Sequence, residues 1–199
     1  MASDGAGPER APTAIWWLRR DLRLSDNPAP SLAQSAGLGV VALYVLDSRC
    51  DEFSAECPAR RAFLLDGLRA LDADLRELGS RLVYRRGDPV RCVPDVAREL
   101  GAGMVVAQEE ASPYGRERDA AVAGQVPLRL VPGLATHPLG AVRKADGAAF
   151  SVFTPYRRAW QSLPPFRASD LLPAPTRWAD VAAVKSETIS FKAWRWPPV

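Results

Sequence analysis

The chain has 199 residues, 47% hydrophobic and 25% charged, with a net charge of +3 and a pI near 9.0. That length suits one α/β domain with a tail, and the apolar share suffices for a packed core. No apolar run approaches the length that spans a bilayer, and Asp4, Glu9 and Arg10 do not fit a signal peptide.

Residues 1–12 are small, polar and proline-containing, which predicts a disordered leader. Thr13 to Leu18 is apolar throughout, as a central parallel strand is. Pro28 opens a helix through about Ala36, ended by Gly37 and Gly39. Val40 to Leu46 is a second buried strand finishing at Asp47. Pro58 to Leu78 is the clearest helix, because Leu64, Leu68, Leu71, Leu75 and Leu78 recur at alternating spacings of four and three. Arg81 to Arg85 predicts a third strand, and Asp88-Pro89 caps and starts the next helix. Pro94 marks either the true start of that helix or a kink. Gly103 to Ala107 is the fourth strand, Ser112-Pro113 caps a helix to about Ala123, and Pro127 to Val131 is the fifth strand.

Five alternations of strand and helix predict a Rossmann-like, doubly wound α/β fold, with a five-stranded parallel sheet and helices on both faces. Ligands in such folds sit beyond the carboxyl ends of the strands, where this sequence puts Arg19, Asp21, Asp47, Asp88, Glu109 and Glu110. Beyond Gly133 the alternation is lost. Residues 136–199 predict an irregular C-terminal tail, rich in proline and tryptophan and lacking a surface to pack on.

The chemistry-bearing residues exclude several classes. There is no Gly-x-Gly-x-x-Gly and no Walker loop. His137 is the only histidine and reads as a surface loop residue, so a Ser-His-Asp triad is not available. The carboxylates lack spaced His or Cys partners for a metal. Cys50, Cys57 and Cys92 lack metal-like spacing and read as reduced thiols of a cytoplasmic protein. Only Lys144, Lys185 and Lys192 of the 26 basic residues are lysine, and no basic stripe with interleaved aromatics marks a nucleic-acid surface in residues 1–150. The pair Glu109-Glu110 reads either as a solvated helix start or as one wall of a ligand cleft, with Arg60 as the opposing charge.

The most informative run is Trp17-Leu18-Arg19-Arg20-Asp21-Leu22-Arg23-Leu24-Ser25-Asp26-Asn27-Pro28, which follows the first strand. It resembles the signature Trp-Phe-Arg-x-Asp-Leu-Arg-Leu-x-Asp-Asn of the DNA photolyase/cryptochrome family, with Leu18 replacing the aromatic. Gly79-Ser80-Arg81-Leu82 with Gly87-Asp88-Pro89, Pro113-Tyr114 with Arg118-Asp119, and Val152-Phe153-Thr154-Pro155-Tyr156 with Trp160 are similar to further stretches of that family, in the same order.

The resemblance implies an N-terminal antenna domain, placed here at 13–135, followed by an interdomain linker and truncated tail at 136–199. It also implies a helical FAD-binding domain that this chain lacks. Light caught by the antenna passes, in that family, to reduced FAD, which splits pyrimidine dimers in DNA. The expected partner is therefore dimer-containing DNA, engaged by the absent domain, for a monomer with no membrane or metal partner. No catalytic residue is expected in this chain, and the 199 residues are expected not to repair DNA alone. Arg19 and Asp21 match the signature loop. Arg60 matches an arginine lining a deazaflavin pocket in some relatives, and Glu110 stands where those relatives have aspartate. These four residues are the expected antenna contacts. Ser112 replaces a glutamate found in many relatives, which leaves the antenna open, 8-hydroxy-deazaflavin being favoured over methenyltetrahydrofolate. A cryptochrome-type photoreceptor and a stand-alone nucleotide- or flavin-binding α/β module are the alternative readings.

Overall fold

The computed structural model describes residues 12–47, 49 and 57–189. The expected leader, apart from Pro12, lies outside the described residues, as do Cys50, Trp194 and Trp196. The strands β1 (Thr13–Leu18), β2 (Gly39–Leu46), β3 (Val83–Arg86), β4 (Met104–Gln108) and β5 (Leu128–Val131) form one sheet in the order β3-β2-β1-β4-β5. Every pairing is parallel. The two halves wind outward from β1, so the topological switch lies between β1 and β4.

The helices α1 (Pro28–Ser35), α2 (Pro58–Glu77), α3 (Pro89–Leu100) and α4 (Pro113–Ala123) connect these strands. Three of them begin where the sequence carries a side-chain cap before a proline. Asn27 accepts from the Ala29 amide, Asp88 from Val90, and Ser112 from Gly115. Pro94 neither starts nor breaks α3, which runs through it. The missing N–H would have served the Val90 carbonyl, and Gln125 Nε2 donates to that oxygen instead at 3.0 Å.

Alternation along β1 divides the two cores. Ala14, Trp16 and Leu18 face α1 and α2, packing with Ala29, Ala33, Leu68, Leu71 and Leu75. Ile15 and Trp17 face α3 and α4, packing with Val93, Val96, Leu100 and Val122. Of the α2 stripe, Leu64 is half-buried and Leu78 is exposed, so the helix seats through its middle turns. No described helix is long and apolar enough to cross a membrane.

The sequence leaves the tail without a surface, and the structure gives part of it one. Phe153–Gln161 forms α5, none of whose residues is buried. Trp160 meets the half-buried His137 edge-on, 5.2 Å between centroids. Further on, a strap of residues 175–189 returns to the sheet edge and buries Val181, Val184 and Ile189. Trp178 forms a parallel bridge with Val40, at a point where β2 extends past β3. This tryptophan finds its partner surface on the α/β unit itself.

Candidate functional site

The carboxyl ends of β1, β2 and β4 converge at the switch point. Arg19 follows β1, and its side chain is only 6% exposed. Its Nη1 donates to both carboxylate oxygens of Asp119, each at 2.7 Å. Asp119 lies in α4 and also accepts from Arg118, through Nε at 3.1 Å and Nη2 at 3.0 Å. Arg118 Nη2 reaches Glu110 Oε2 at 3.4 Å, and the exposed Arg20 lies 3.7 Å from Glu110 Oε1. The buried members therefore alternate in sign and nearly cancel. Burial pulls the Arg19 guanidinium below its ordinary pKa, against the upward pull of Asp119.

Aromatic rings lie against the cations. Arg19 and Arg118 sit 4.6 and 4.9 Å from the Trp17 ring centroid. Arg118 and Arg49 sit 5.4 and 4.4 Å from that of Tyr114. The Tyr114 hydroxyl donates to Asp47 at the end of β2. Gly115 permits the close approach of Glu110, because a Cβ there would lie 2.8 Å from Glu110 Oε2.

Asp21 is completely buried and acts on the loop from within. Its carboxylate accepts from Trp16 Nε1 at 2.9 Å, the Arg19 amide at 3.0 Å and Asn27 Nδ2 at 3.2 Å. Asn27 in turn accepts from Gln108 Nε2 at 2.9 Å, fastening the loop to the end of β4. Arg60 is exposed on the first turn of α2. The charges opposing Glu110 are Arg118 and Arg20 rather than Arg60, because α4 carries Arg118 directly over the end of β4.

The structure thus brings Arg19 and Glu110 into one cluster and sets Asp21 behind it. Sequence reasoning passed over Arg118, Asp119 and Tyr114 as site members. Their signal was the Pro113-to-Asp119 stretch, where an adjacent Arg-Asp pair follows one helical turn after a tyrosine. Arg19 Nε and Nη2 are buried without a hydrogen-bond partner, two oriented donors for a carbonyl or anionic oxygen. The Arg19 donors lie against the Trp17 ring, which is itself 2% exposed. Among the described residues no group of His, Cys, Asp and Glu is arranged to hold a metal.

The profile of the DNA photolyase family matches residues 14–176. The chain is 32% identical over 155 residues to the deoxyribodipyrimidine photo-lyase of Synechococcus sp., covering 75% of this chain and 32% of that one. It is 37% identical over 122 residues to cryptochrome-2 of Gallus gallus, covering 61% of this chain and 21% of that one. A crystal structure of a class III photolyase from Agrobacterium tumefaciens superposes with a TM-score of 0.76 at 26% identity, covering all of this chain and 41% of that one. The chain therefore spans less than half the length of each of these three proteins.

Proposed function

The chain belongs to the DNA photolyase family, and from that premise we propose that it forms the antenna-chromophore unit of a light-dependent pyrimidine-dimer lyase. The observation that carries this reading is the pair of orphaned Arg19 donors beside Trp17, at the switch point of the sheet. Arg19 and Glu110 serve as cleft polar groups, Asp21 orients the Arg19 backbone, and Arg60 adds a charge at the outer rim. When bound, the chromophore absorbs light and passes the excitation on. Of the two candidates, 8-hydroxy-deazaflavin matches the Arg60 position better than methenyltetrahydrofolate does.

On this reading FAD and the contact with dimer-containing DNA belong to the part of the relatives' length that the chain does not span. Dimer splitting requires a redox cofactor beside a lesion taken out of the base stack, and an enclosing pocket for both. The 199 residues alone then bind chromophore without repairing DNA. Absorption and fluorescence spectra of the purified chain, with the released chromophore identified, test the first statement. A deazaflavin or folate band that weakens in Arg60→Ala supports it, and a folded, colourless protein after reconstitution with both overturns it. Light-dependent loss of dimers from irradiated DNA, catalysed by the 199-residue chain, overturns the second. The likeness to cryptochrome-2 favours one alternative, a photoreceptor unit, in which the same antenna serves signalling.

A further inference from the structure

The strap of residues 175–189 has no regular structure, yet it is tied down along its length. Gln34 Oε1 accepts from the amides of Thr176 at 2.6 Å and Arg177 at 2.9 Å. Val40 donates to the Arg177 carbonyl at 3.2 Å and accepts from the Ala179 amide at 3.0 Å. Arg81 Nη2 clasps the carbonyls of Val181 at 2.9 Å and Val184 at 2.7 Å. The edge of β3 closes on the far end, where Tyr84 donates to Ser186 Oγ at 3.0 Å and accepts from the Glu187 amide at 2.9 Å.

Near the start of the strap, the half-buried Trp178 lays its ring against Trp16, with centroids 6.2 Å apart and planes tilted by 46°. Trp16 is completely buried, and its indole N–H is the donor to Asp21 Oδ2. The other oxygen of Asp21 holds the Arg19 amide. Two side chains, Trp16 and Asp21, thus separate a surface strap from the backbone of the charged loop.

We infer that this strap is a latch for the loop of residues 19–27, with Trp178 a positioning residue that acts through Trp16 on Asp21. The element with two states is the strap, docked or released. An edge-bound segment with many exposed residues belongs to the part of a fold that opens most readily. With Trp178 gone, the outer face of Trp16 borders a void and its ring is free to shift. The indole–carboxylate bond then lengthens and Asp21 loses one of its three donors. Docking at the sheet edge in this way sets the order of the Arg19 backbone, and hence, if the proposed chromophore site is correct, the affinity of that site.

Hydrogen exchange measured by NMR on the full chain tests the latch without any chromophore. In Trp178→Ala the Trp16 indole N–H and the Arg19 amide exchange about tenfold faster or more, whereas the Val105 and Val106 amides in β4 do not change. Trp178→Phe, which keeps an aromatic contact, stays within about threefold of the parent. Faster exchange at Ala179 and Glu187 with parental rates at Trp16 and Arg19 overturns the inference. Should Trp178→Ala fail to fold, the parent chain in low urea decides. A shared opening of Ala179, Glu187 and the Trp16 indole supports the latch, and exchange of the indole only through global unfolding overturns it. Failure of the parent to bind deazaflavin or folate would overturn the proposed function while leaving the exchange result intact.

Discussion

Arg19 and Asp119 lie one hundred residues apart, yet one guanidinium nitrogen of Arg19 sits 2.7 Å from both carboxylate oxygens of Asp119. With side chains 6% and 4% exposed, the pair joins the end of β1 to α4 across the switch point. Removing one partner strands buried charge. Asp119→Ala is expected to cost about 3–5 kcal/mol in a urea melt, because it leaves the buried Arg19 guanidinium without a counter-charge and Arg118 with only the longer contact to Glu110. Asp119→Asn, which keeps an acceptor, is expected to cost less. An Asp119→Ala variant within about 1 kcal/mol of the parent would show that water or a rearranged Glu110 replaces the carboxylate.

Asp21 satisfies three donors from inside the loop. Asp21→Ala is expected to destabilise the chain by about 2–3 kcal/mol, since the Trp16 indole and Arg19 amide N–H groups lose their acceptor while Asn27 keeps the Asp21 and Arg23 carbonyls. The Trp16 indole resonance should shift in the same variant. An unshifted resonance would mean that the indole has found another acceptor.

Two glycines mark close approaches. A Cβ on Gly133 would lie 2.6 Å from the Gln108 side chain, which is itself buried and bonded to Asn27. Gly133→Ala is expected to cost about 1–3 kcal/mol by overpacking. At Gly115 the obstructing atoms belong to Glu110 and to Ser112, the cap of α4. Gly115→Ala is therefore expected to move the Glu110 carboxylate and, on the proposed function, to weaken chromophore binding several-fold, with a stability loss of about 1 kcal/mol from the cap. Thermal melts and a binding titration separate the two effects.

Burial, reinforced by Asp72, pushes the Tyr84 phenol above its ordinary range. A group whose pKa is higher in the folded chain contributes stability that is complete below its unfolded value, about 10 for tyrosine, and is lost as the pH rises through the folded value. Urea midpoints should therefore fall as the pH rises above about 10, and Tyr84→Phe should flatten that fall. Equal slopes for the two proteins would place the loss elsewhere.

Burial, with Asp95 and Asp88 adding to it, also pushes the Cys92 thiol up. Its alkylation rate, followed by peptide mapping against pH, should inflect above the value of a free cysteine, about 8.5. An inflection at or below that value would show a thiol better solvated than its half-buried position indicates.

Local physics made much of the fold legible. Strands buried on both faces read as unbroken apolar runs, and Asn27-Pro28, Asp88-Pro89 and Ser112-Pro113 mark helix starts through groups only a few residues apart. Pro94 was ambiguous because the donor that takes the freed Val90 carbonyl is Gln125, in the turn after a different helix. At the site, Arg19 and Glu110 were found from their positions at strand ends. Charge and a family position point to Arg60 as the partner of Glu110, whereas chain geometry brings Arg118 there.

The order of strands and helices along the chain, their caps and the family signature are legible from the sequence, because each is written in neighbouring residues. The tertiary structure alone decided that Asp119 neutralises Arg19, that Asp21 faces inward, and that the tail lays Trp178 on Trp16. These contacts join residues far apart in the chain, and the spacing of side chains along a strand or helix carries no information about which distant group will meet them.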